Sequence, residues 1–176
     1  MRSEKIDAGA KFPEISLPLV MGERIILGGK NGSDRWQLIV VYRGKHCPIC
    51  KRYLATLDEL RDDFEEENID VIAISGDSLE KASLQVEEGA LTFPVAYDLS
   101  PDQMRELGLY ISDPRSPAET DRPFPEPALF LLRPDRTIQV IDISNAPFAR
   151  PDLGAILKGA SFIREKNYPI RGTHAA

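Results

Sequence analysis

Two cysteines separated by two residues, Cys47 and Cys50, are the side chains of this sequence best suited to chemistry. They follow an apolar run over 36–42 that predicts a buried strand, and Pro48 between them suits the first turn of a helix. With Pro48 as the first helical residue, Cys47 is the N-cap and Cys50 lies one turn further along. Backbone N–H groups, the helix dipole and nearby basic side chains then favour a thiolate at Cys47. We therefore predict Cys47 as the nucleophile and Cys50 as the residue that closes a disulfide with it.

Metal binding and two inert buried thiols are the alternative interpretations of this pair. Structural zinc needs four ligands, whereas the sequence adds only His46 and His174 to its two cysteines. Free cysteine is often a small core residue. A ring of four residues is also too short to stabilise a fold by chain entropy. The spacing therefore favours a redox couple, with no metal and no cofactor.

The length and composition predict a single domain and narrow the classes of partner. The chain has 176 residues, and we predict one domain over 1–176 with its core at about 7–167 and a loose tail at 168–176. A formal net charge of −6 argues against nucleic-acid or anionic-membrane binding. The polar N-terminus and the lack of a long apolar run predict a soluble, cytoplasmic protein.

Strand and helix patterns alternate along the chain and predict an α/β fold. We expect a mixed central sheet with helices on both faces and an N-terminal β-hairpin. The predicted order is a hairpin over 16–27, a polar turn at 31–34, a strand over 36–42, a helix from 48 through 64, a strand at 71–74, a helix over 77–88, a strand at 93–97, a short helix from 100, a loop over 113–126, strands at 128–132 and 137–143, and a helix over 153–163. Asp77 with Glu80, and Ser100 with Gln103, have the spacing of capping boxes.

Several segments in the same order resemble one known family. They are KFPEISLP near the N-terminus, RGKHCPIC at the cysteines, AISGDS, TFPVAYDLS, and PALFLLRPDRTIQ. Over about Gly9 to Ile143 the chain resembles the peroxiredoxin-like (AhpC/TSA, redoxin) family of the thioredoxin superfamily. The resemblance implies a thioredoxin-like three-layer sandwich and an antioxidant, thiol-dependent oxidoreductase. It also implies a peroxide or disulfide substrate, a thioredoxin- or glutathione-type electron donor, and a homodimer.

Two positions depart from the pattern of that family. Gly44 stands where typical peroxidases of the family carry Thr or Ser, and Pro127 stands where they carry Arg. Those groups position the peroxide, so Arg43 or Arg122 would have to replace them. Gly44, His46, Arg43 and Pro127 are therefore our candidate substrate-binding residues.

Pro127 and His46 each have two interpretations. Thioredoxins and glutaredoxins place a cis proline opposite their cysteines, and by that resemblance we expect Pro127 to be cis; otherwise it is a proline at the start of a strand. His46 is expected to be an exposed loop residue that adds partial positive charge, with a proton donor near the sulfur as the alternative.

Competing functions follow from these observations. A peroxidase and a glutaredoxin- or thioredoxin-like protein-disulfide reductase are close rivals. The proline-rich segment 113–126 also allows a non-catalytic redox sensor that presents a partner surface, and a metal chaperone is a further alternative.

Overall fold

A five-stranded mixed sheet forms the centre of the molecule in the computed structural model, which describes residues 3–28 and 33–175. The predicted polar turn at 31–34 lies partly outside the described residues, which exclude 31 and 32. None of the helices in the described part of the chain combines the length and the apolar character needed to cross a membrane.

The elements follow the predicted order. The strands are β1 Ser16–Pro18, β2 Arg24–Ile26, β3 Trp36–Val41, β4 Ile69–Ile74, β5 Val95–Ala96, β6 Ile111–Ser112, β7 Phe124–Pro125, β8 Ala128–Leu132 and β9 Ile138–Ile143. The helices are α1 Pro48–Glu59, α2 Arg61–Glu66, α3 Leu79–Gly89, α4 Pro101–Glu106 and α5 Leu153–Lys166.

The sheet order is β5-β4-β3-β8-β9. β3, β4 and β5 run parallel, whereas β8 runs antiparallel to β3 and to β9. β3 is the central strand, and alternate side chains enter two different cores: Leu38 and Val40 on one face, Ile39 and Val41 on the other. Burial on both faces explains why this segment is a nearly continuous apolar run.

Helices cover both faces of the sheet, as predicted. Apolar side chains of α1, α2 and α5, including Leu54, Phe64 and Ala160, pack on one face together with both cysteines. The N-terminal segment and the region of α4, with Phe12 and Met104, pack on the other face. The predicted hairpin is present as β1 paired antiparallel with β2.

Three local predictions need correction. The helix predicted from 48 through 64 is two helices, α1 and α2, that meet at Leu60. The N-cap of α3 is Ser78, whose hydroxyl accepts from the Lys81 N–H at 3.4 Å, so Asp77 does not cap that helix. The segment 113–126 is not all loop, because it contains β7, which pairs with β6 immediately before the segment.

Candidate active site

Cys47 ends the connection from β3 and caps α1, as the sequence predicts. Its backbone is extended (φ −106°, ψ 105°), and its Sγ accepts the backbone N–H of Cys50 at 3.3 Å. The N–H of Lys51 donates to the Cys47 carbonyl at 3.2 Å, which is the first helical hydrogen bond. Proline is tolerated at the first helical position because a backbone N–H there would have no partner within the helix. Its fixed φ also favours the start of the helix at Pro48.

Both thiols are free and buried in the core on the α1 face. Cys47 is 1% exposed and Cys50 is 0% exposed. The Cys50 backbone N–H donates to the Cys47 sulfur at 3.3 Å, so the two residues are near neighbours within the first turn of α1. This arrangement suits the formation of a disulfide between them.

The environment of Cys47 stabilises its thiolate. The hydrogen bond from the Cys50 thiol lowers the pKa of Cys47 most, and the Cys50 backbone N–H and the Arg43 guanidinium add to this effect against the cost of burial, which leaves the pKa at about 5. The pKa of Cys50 is raised, first because Cys50 donates to Cys47 and second because it is buried. Cys47 is therefore the sulfur of the pair that ionises first.

Arg43 is held beside Cys47 by buried partners. Its Nε lies 2.9 Å from Oε2 of Glu126, whose side chain is 6% exposed. Ser112 donates to the other oxygen of Glu126 at 2.7 Å. The guanidinium also lies over the Phe124 ring, 4.9 Å from its centroid. These contacts fix a positive charge next to the reactive sulfur.

The other basic residues near the cysteines have different partners. Lys45 pairs with Glu88 at 2.7 Å, and Lys51 lies 4.0 Å from the same carboxylate. Arg122, the second candidate to replace the missing arginine of the family, pairs with Asp98 at 3.2 Å. Arg43 is therefore the basic residue that the structure places against Cys47.

Gly44 has a backbone conformation that explains why the family's Thr or Ser is absent. Its φ is +142°, and a Cβ there would lie 2.7 Å from Oδ1 of Asp77 and 3.0 Å from Nδ1 of His46. Asp77 is 3% exposed and fixed, because its Oδ2 accepts the Lys45 N–H at 2.8 Å. Any residue with a Cβ, Ser and Thr included, would be strained at this position and would have to displace Asp77.

His46 differs from the expected exposed, partly charged residue. It is half-buried and lies edge-on to Phe124, with ring centroids 4.6 Å apart. Within the described part of the chain neither of its ring nitrogens has a hydrogen-bond partner. Burial lowers the pKa of His46, and the Arg43 charge lowers it further, so the ring is neutral at neutral pH.

The expectation of a cis Pro127 is wrong. Among residues 3–28 and 33–175, no peptide bond is cis. Pro127 is buried immediately before β8, and its carbonyl accepts the Ser144 N–H at 3.0 Å. The alternative interpretation, a proline that starts a strand where no ladder N–H is required, agrees with this position.

A cavity of about 590 Å³ opens next to the cysteines. Its wall includes Arg43, His46 and Pro48 on one side and residues of the segment 115–120 on the other. The chain neighbours of Cys47 line this cavity, although the sulfur itself does not. A small molecule in the cavity would therefore contact the residues on either side of Cys47 in the chain, His46 and Pro48.

Sequence reasoning missed three residues that complete the site: Glu126, Asp77 as a loop partner, and Arg150. Glu126 carries a signal, since it is the only charge in the segment FPEPALFLL, which is otherwise typical of a buried segment. Arg150 carries none, because it contacts Cys50 across 100 residues of sequence, with Nη2 3.2 Å from Sγ.

In residues 3–28 and 33–175, no group of three or more His, Cys, Asp or Glu side chains is arranged to hold a metal ion.

The mixed sheet, the helices on both faces and the cysteine pair at a strand-to-helix junction define the thioredoxin-like class of fold. The AhpC/TSA family model matches residues 8–141, more than half of the sequence. This chain belongs to the AhpC/TSA family, as the resemblance predicted. No curated protein sequence matches it significantly.

Solved structures share the fold at low sequence identity. A peroxiredoxin-like protein from Aquifex aeolicus is 17% identical with a TM-score of 0.76, over 92% of this chain and 90% of that one. Peroxidoxin BcpB from Mycobacterium tuberculosis is 17% identical with a TM-score of 0.72, over 94% and 100%. A cysteine-to-serine mutant of peroxiredoxin 6 from Arenicola marina is 18% identical with a TM-score of 0.75, over 93% and 76%. The predicted thioredoxin-like sandwich is thus confirmed.

Proposed function

We infer that this protein is a thiol peroxidase in which Cys47 attacks a small hydroperoxide and Cys50 resolves the product to an intramolecular disulfide. The observation that carries this proposal is an N-cap sulfur that is 1% exposed and whose chain neighbours, His46 and Pro48, line a cavity. Charge and burial together suit a small substrate that can enter a narrow site.

Burial of Cys47 argues against the rival activity, reduction of protein disulfides. A protein disulfide carries its own backbone to the attacking sulfur, so a sulfur with 1% exposure favours a small hydroperoxide over a protein disulfide. Pro127 is also trans, so the feature that pointed to a thioredoxin- or glutaredoxin-like reductase is missing. The names of the solved relatives, peroxiredoxin and peroxidoxin, agree with the peroxidase.

The reaction follows from the positions of the two sulfurs. The Cys47 thiolate attacks the terminal oxygen of ROOH, the O–O bond breaks, and the alkoxide takes a proton to leave as ROH, with Cys47 oxidised to a sulfenic acid. The Cys50 sulfur then attacks the Cys47 sulfur, the S–O bond breaks, and the hydroxyl leaves as water with the Cys50 proton. The disulfide is then reduced by an electron donor, either a thioredoxin-type dithiol or two glutathione-type thiols. A reducing compartment such as the cytoplasm supplies such a donor.

Arg43 has two roles in this scheme. Its guanidinium stabilises the Cys47 thiolate before attack, and its fixed position near the sulfur allows it to stabilise the negative charge that develops on the leaving oxygen. The buried Glu126 orients it for both roles. Arg43 thus supplies the positive charge for which the family uses an arginine at the position of Pro127.

The experiment is a rapid-quench measurement with hydrogen peroxide and reduced protein, followed by mass spectrometry of the two cysteines. Wild type should end as the Cys47–Cys50 disulfide, with one peroxide consumed per chain. Cys50→Ser should stop at a Cys47 sulfenic acid that dimedone traps, and Cys47→Ser should not react.

Insulin reduction by the same reduced protein is the counter-test. We expect it to be slow. Peroxide consumption no faster than that of free cysteine, together with rapid insulin reduction, would establish the reductase and reject the peroxidase.

A further inference from the structure

Arg150 is a basic side chain that contacts the Cys50 sulfur, and the reaction outlined above does not use it. Its Nη2 lies 3.2 Å from Sγ of Cys50. Arg150 belongs to the segment between β9 and α5, so it reaches the cysteines from a different element than Arg43, which follows β3. Each of the two sulfurs therefore has its own guanidinium.

Three further contacts fix the orientation of Arg150. Its Nε donates to the Pro147 carbonyl at 2.8 Å, and its guanidinium lies over the Tyr53 ring at 4.7 Å from the centroid. Tyr53, on α1, donates its hydroxyl to the Pro151 carbonyl at 2.5 Å. This clamp ties the backbone around Arg150 to the helix that carries Cys50. The remaining nitrogen, Nη1, is buried without a hydrogen-bond partner in the described residues.

The reduced state gives Arg150 no anion to stabilise, because the charge of the pair resides on Cys47. Oxidation of Cys47 changes this balance. A Cys47 sulfenic acid or mixed disulfide is uncharged, so Cys50 loses the thiolate to which it donated its proton. Arg150 then remains as the cation in contact with Cys50, where a desolvated guanidinium favours an ionised sulfur.

We propose that Arg150 is a catalytic residue of the resolving step. Once Cys47 has been oxidised, Arg150 stabilises the thiolate form of Cys50, so that Cys50 becomes the nucleophile. The ionised Cys50 attacks the Cys47 sulfur, the new S–S bond forms, and the bond from Cys47 to the hydroxyl or leaving thiol breaks. The leaving group takes the electron pair of that bond, and hydroxide takes up a proton to become water. The inference rests on the proposed role of Cys50 as the resolving residue.

The groups that face Cys50 and titrate or carry charge are Cys47 at the start of α1, Arg150, and the Tyr42 phenol at the end of β3. Burial raises the pKa of Tyr42, so the phenol stays neutral over the working range of pH. The pH dependence of the resolving step therefore reports the Cys50 thiol and the effect of Arg150 on it.

The test uses dithiodipyridine, a small neutral disulfide whose released thiopyridone absorbs light. Attack by Cys47 releases the first thiopyridone, and attack by Cys50 on the mixed disulfide releases the second. The two steps are seen as separate phases in one stopped-flow trace, with no peroxide present. Failure of peroxide oxidation would reject the proposed function but leave this test intact.

Arg150→Met should slow the second phase by about tenfold or more, since it removes a charge-assisted hydrogen bond. It should also move the pH midpoint of that phase upward, while the first phase stays within about twofold of wild type. Arg150→Lys keeps the charge but cannot donate to Cys50 and Pro147 from one planar group, so its second phase should be intermediate.

Arg164→Met is the matched control. Arg164 also lies over an aromatic ring, that of Trp36 at 5.9 Å, and pairs with Glu67 at 4.0 Å, without contacting either cysteine. It should leave both phases unchanged. If Arg150→Met does not fold, Tyr53→Phe loosens the same clamp and should slow the second phase alone. A second phase with the wild-type rate and pH midpoint in the folded variants would overturn the proposal.

Discussion

At the scale of residues, the candidate site consists of two neighbouring cysteines, with Arg43 near Cys47 and Arg150 in contact with Cys50. The Cys50 thiol and the Arg43 guanidinium both stabilise charge on Cys47, and the buried Glu126 holds Arg43 in place. A sulfur with this environment is ionised at neutral pH although hydrocarbon side chains surround it, because each polar contact compensates part of the cost of burial.

Replacement of Arg43 tests this assignment. In Arg43→Met we expect the midpoint for alkylation of Cys47 to rise by about one to two pH units, since the variant removes the guanidinium that lowers the pKa of Cys47. Reactivity at pH 6 should fall accordingly, while reactivity above the new midpoint should be nearly retained. Iodoacetamide labelling followed by mass spectrometry measures the midpoint.

Lys51→Met is the matched control for Arg43→Met. Lys51 is also a basic residue near the cysteines, but its side chain is half-exposed and lies 4.0 Å from Glu88. Its removal should leave the midpoint unchanged. Equal shifts in the two variants would mean that the general positive field, and not contact with Arg43, lowers the pKa of Cys47.

The position of the cysteine pair at a helix N-terminus could be predicted at this scale, whereas most of its partners could not. Cys47 and Cys50 stand out because their spacing and the adjacent Pro48 define a helix N-terminus. Arg150 and Glu126 reach the site from distant parts of the sequence, and only the packing of α5 and β8 brings them there. The burial of His46 had no local signal either, because the aromatic ring that covers it lies 78 positions away in the sequence.

At the scale of elements, the connection from β3 to α1 is fixed by a residue of the next strand-to-helix connection. Asp77, after β4, accepts the Lys45 N–H at 2.8 Å and packs against Gly44. β3 and β4 are parallel neighbours, so their carboxyl ends meet at one edge of the sheet. The loop that leads to Cys47 is thereby attached to the sheet at two points: through the chain to β3, and through the Lys45–Asp77 hydrogen bond to the end of β4.

Gly44→Ala should destabilise the protein more than Gly22→Ala does. Both glycines have positive φ, +142° and +106°, but only at Gly44 would a Cβ meet other atoms. The extra cost should be about 1–2 kcal/mol, measured as the free energy of unfolding in urea. The alkylation midpoint of Cys47 should also move only in Gly44→Ala. Equal destabilisation by Gly44→Ala and Gly22→Ala would contradict this prediction, because Asp77 and His46 would then move away from the new Cβ without loss of stability.

The order of the elements was predictable because their apolar patterns are strong, as in the continuous apolar strands at 36–42 and 128–132. Element boundaries that depend on long-range contacts were harder to predict. The segment 113–126 contains proline and charge throughout, and nothing local shows that Phe124 and Ser112 pair across it. The capping box expected at Asp77 is absent because a buried hydrogen bond to Lys45 occupies that carboxylate, and Ser78 caps α3 instead.

At the scale of the whole molecule, the charge on Cys47 links the redox site to the stability of the fold. The core on the α1 face includes both cysteines, together with side chains of α1, α2, α5 and β8. The folded-state pKa of Cys47 lies below its unfolded-state value of about 8.5. The stabilisation it gives is therefore full above the unfolded-state pKa and is lost as the pH falls through about 5.

The stability difference between reduced wild type and Cys47→Ser should depend on pH in that direction. Serine retains the N-cap but does not ionise, so wild type should lose stability relative to it as the pH falls from about 8 to about 5. The slope should reach at most about 1.4 kcal/mol per pH unit. Urea unfolding at a series of pH values measures it, and a difference independent of pH would show that folding does not depend on an ionised Cys47.

The alkylation midpoint of Cys47 in the wild-type, fully reduced protein is the most direct test of the account. The structure predicts a midpoint far below the value of a free thiol, near 5, with Cys50 unlabelled across the same range of pH. A midpoint at or above about 8.5 would contradict the account, because Cys47 would then be an ordinary buried thiol and neither Arg43 nor Arg150 would have a thiolate to stabilise.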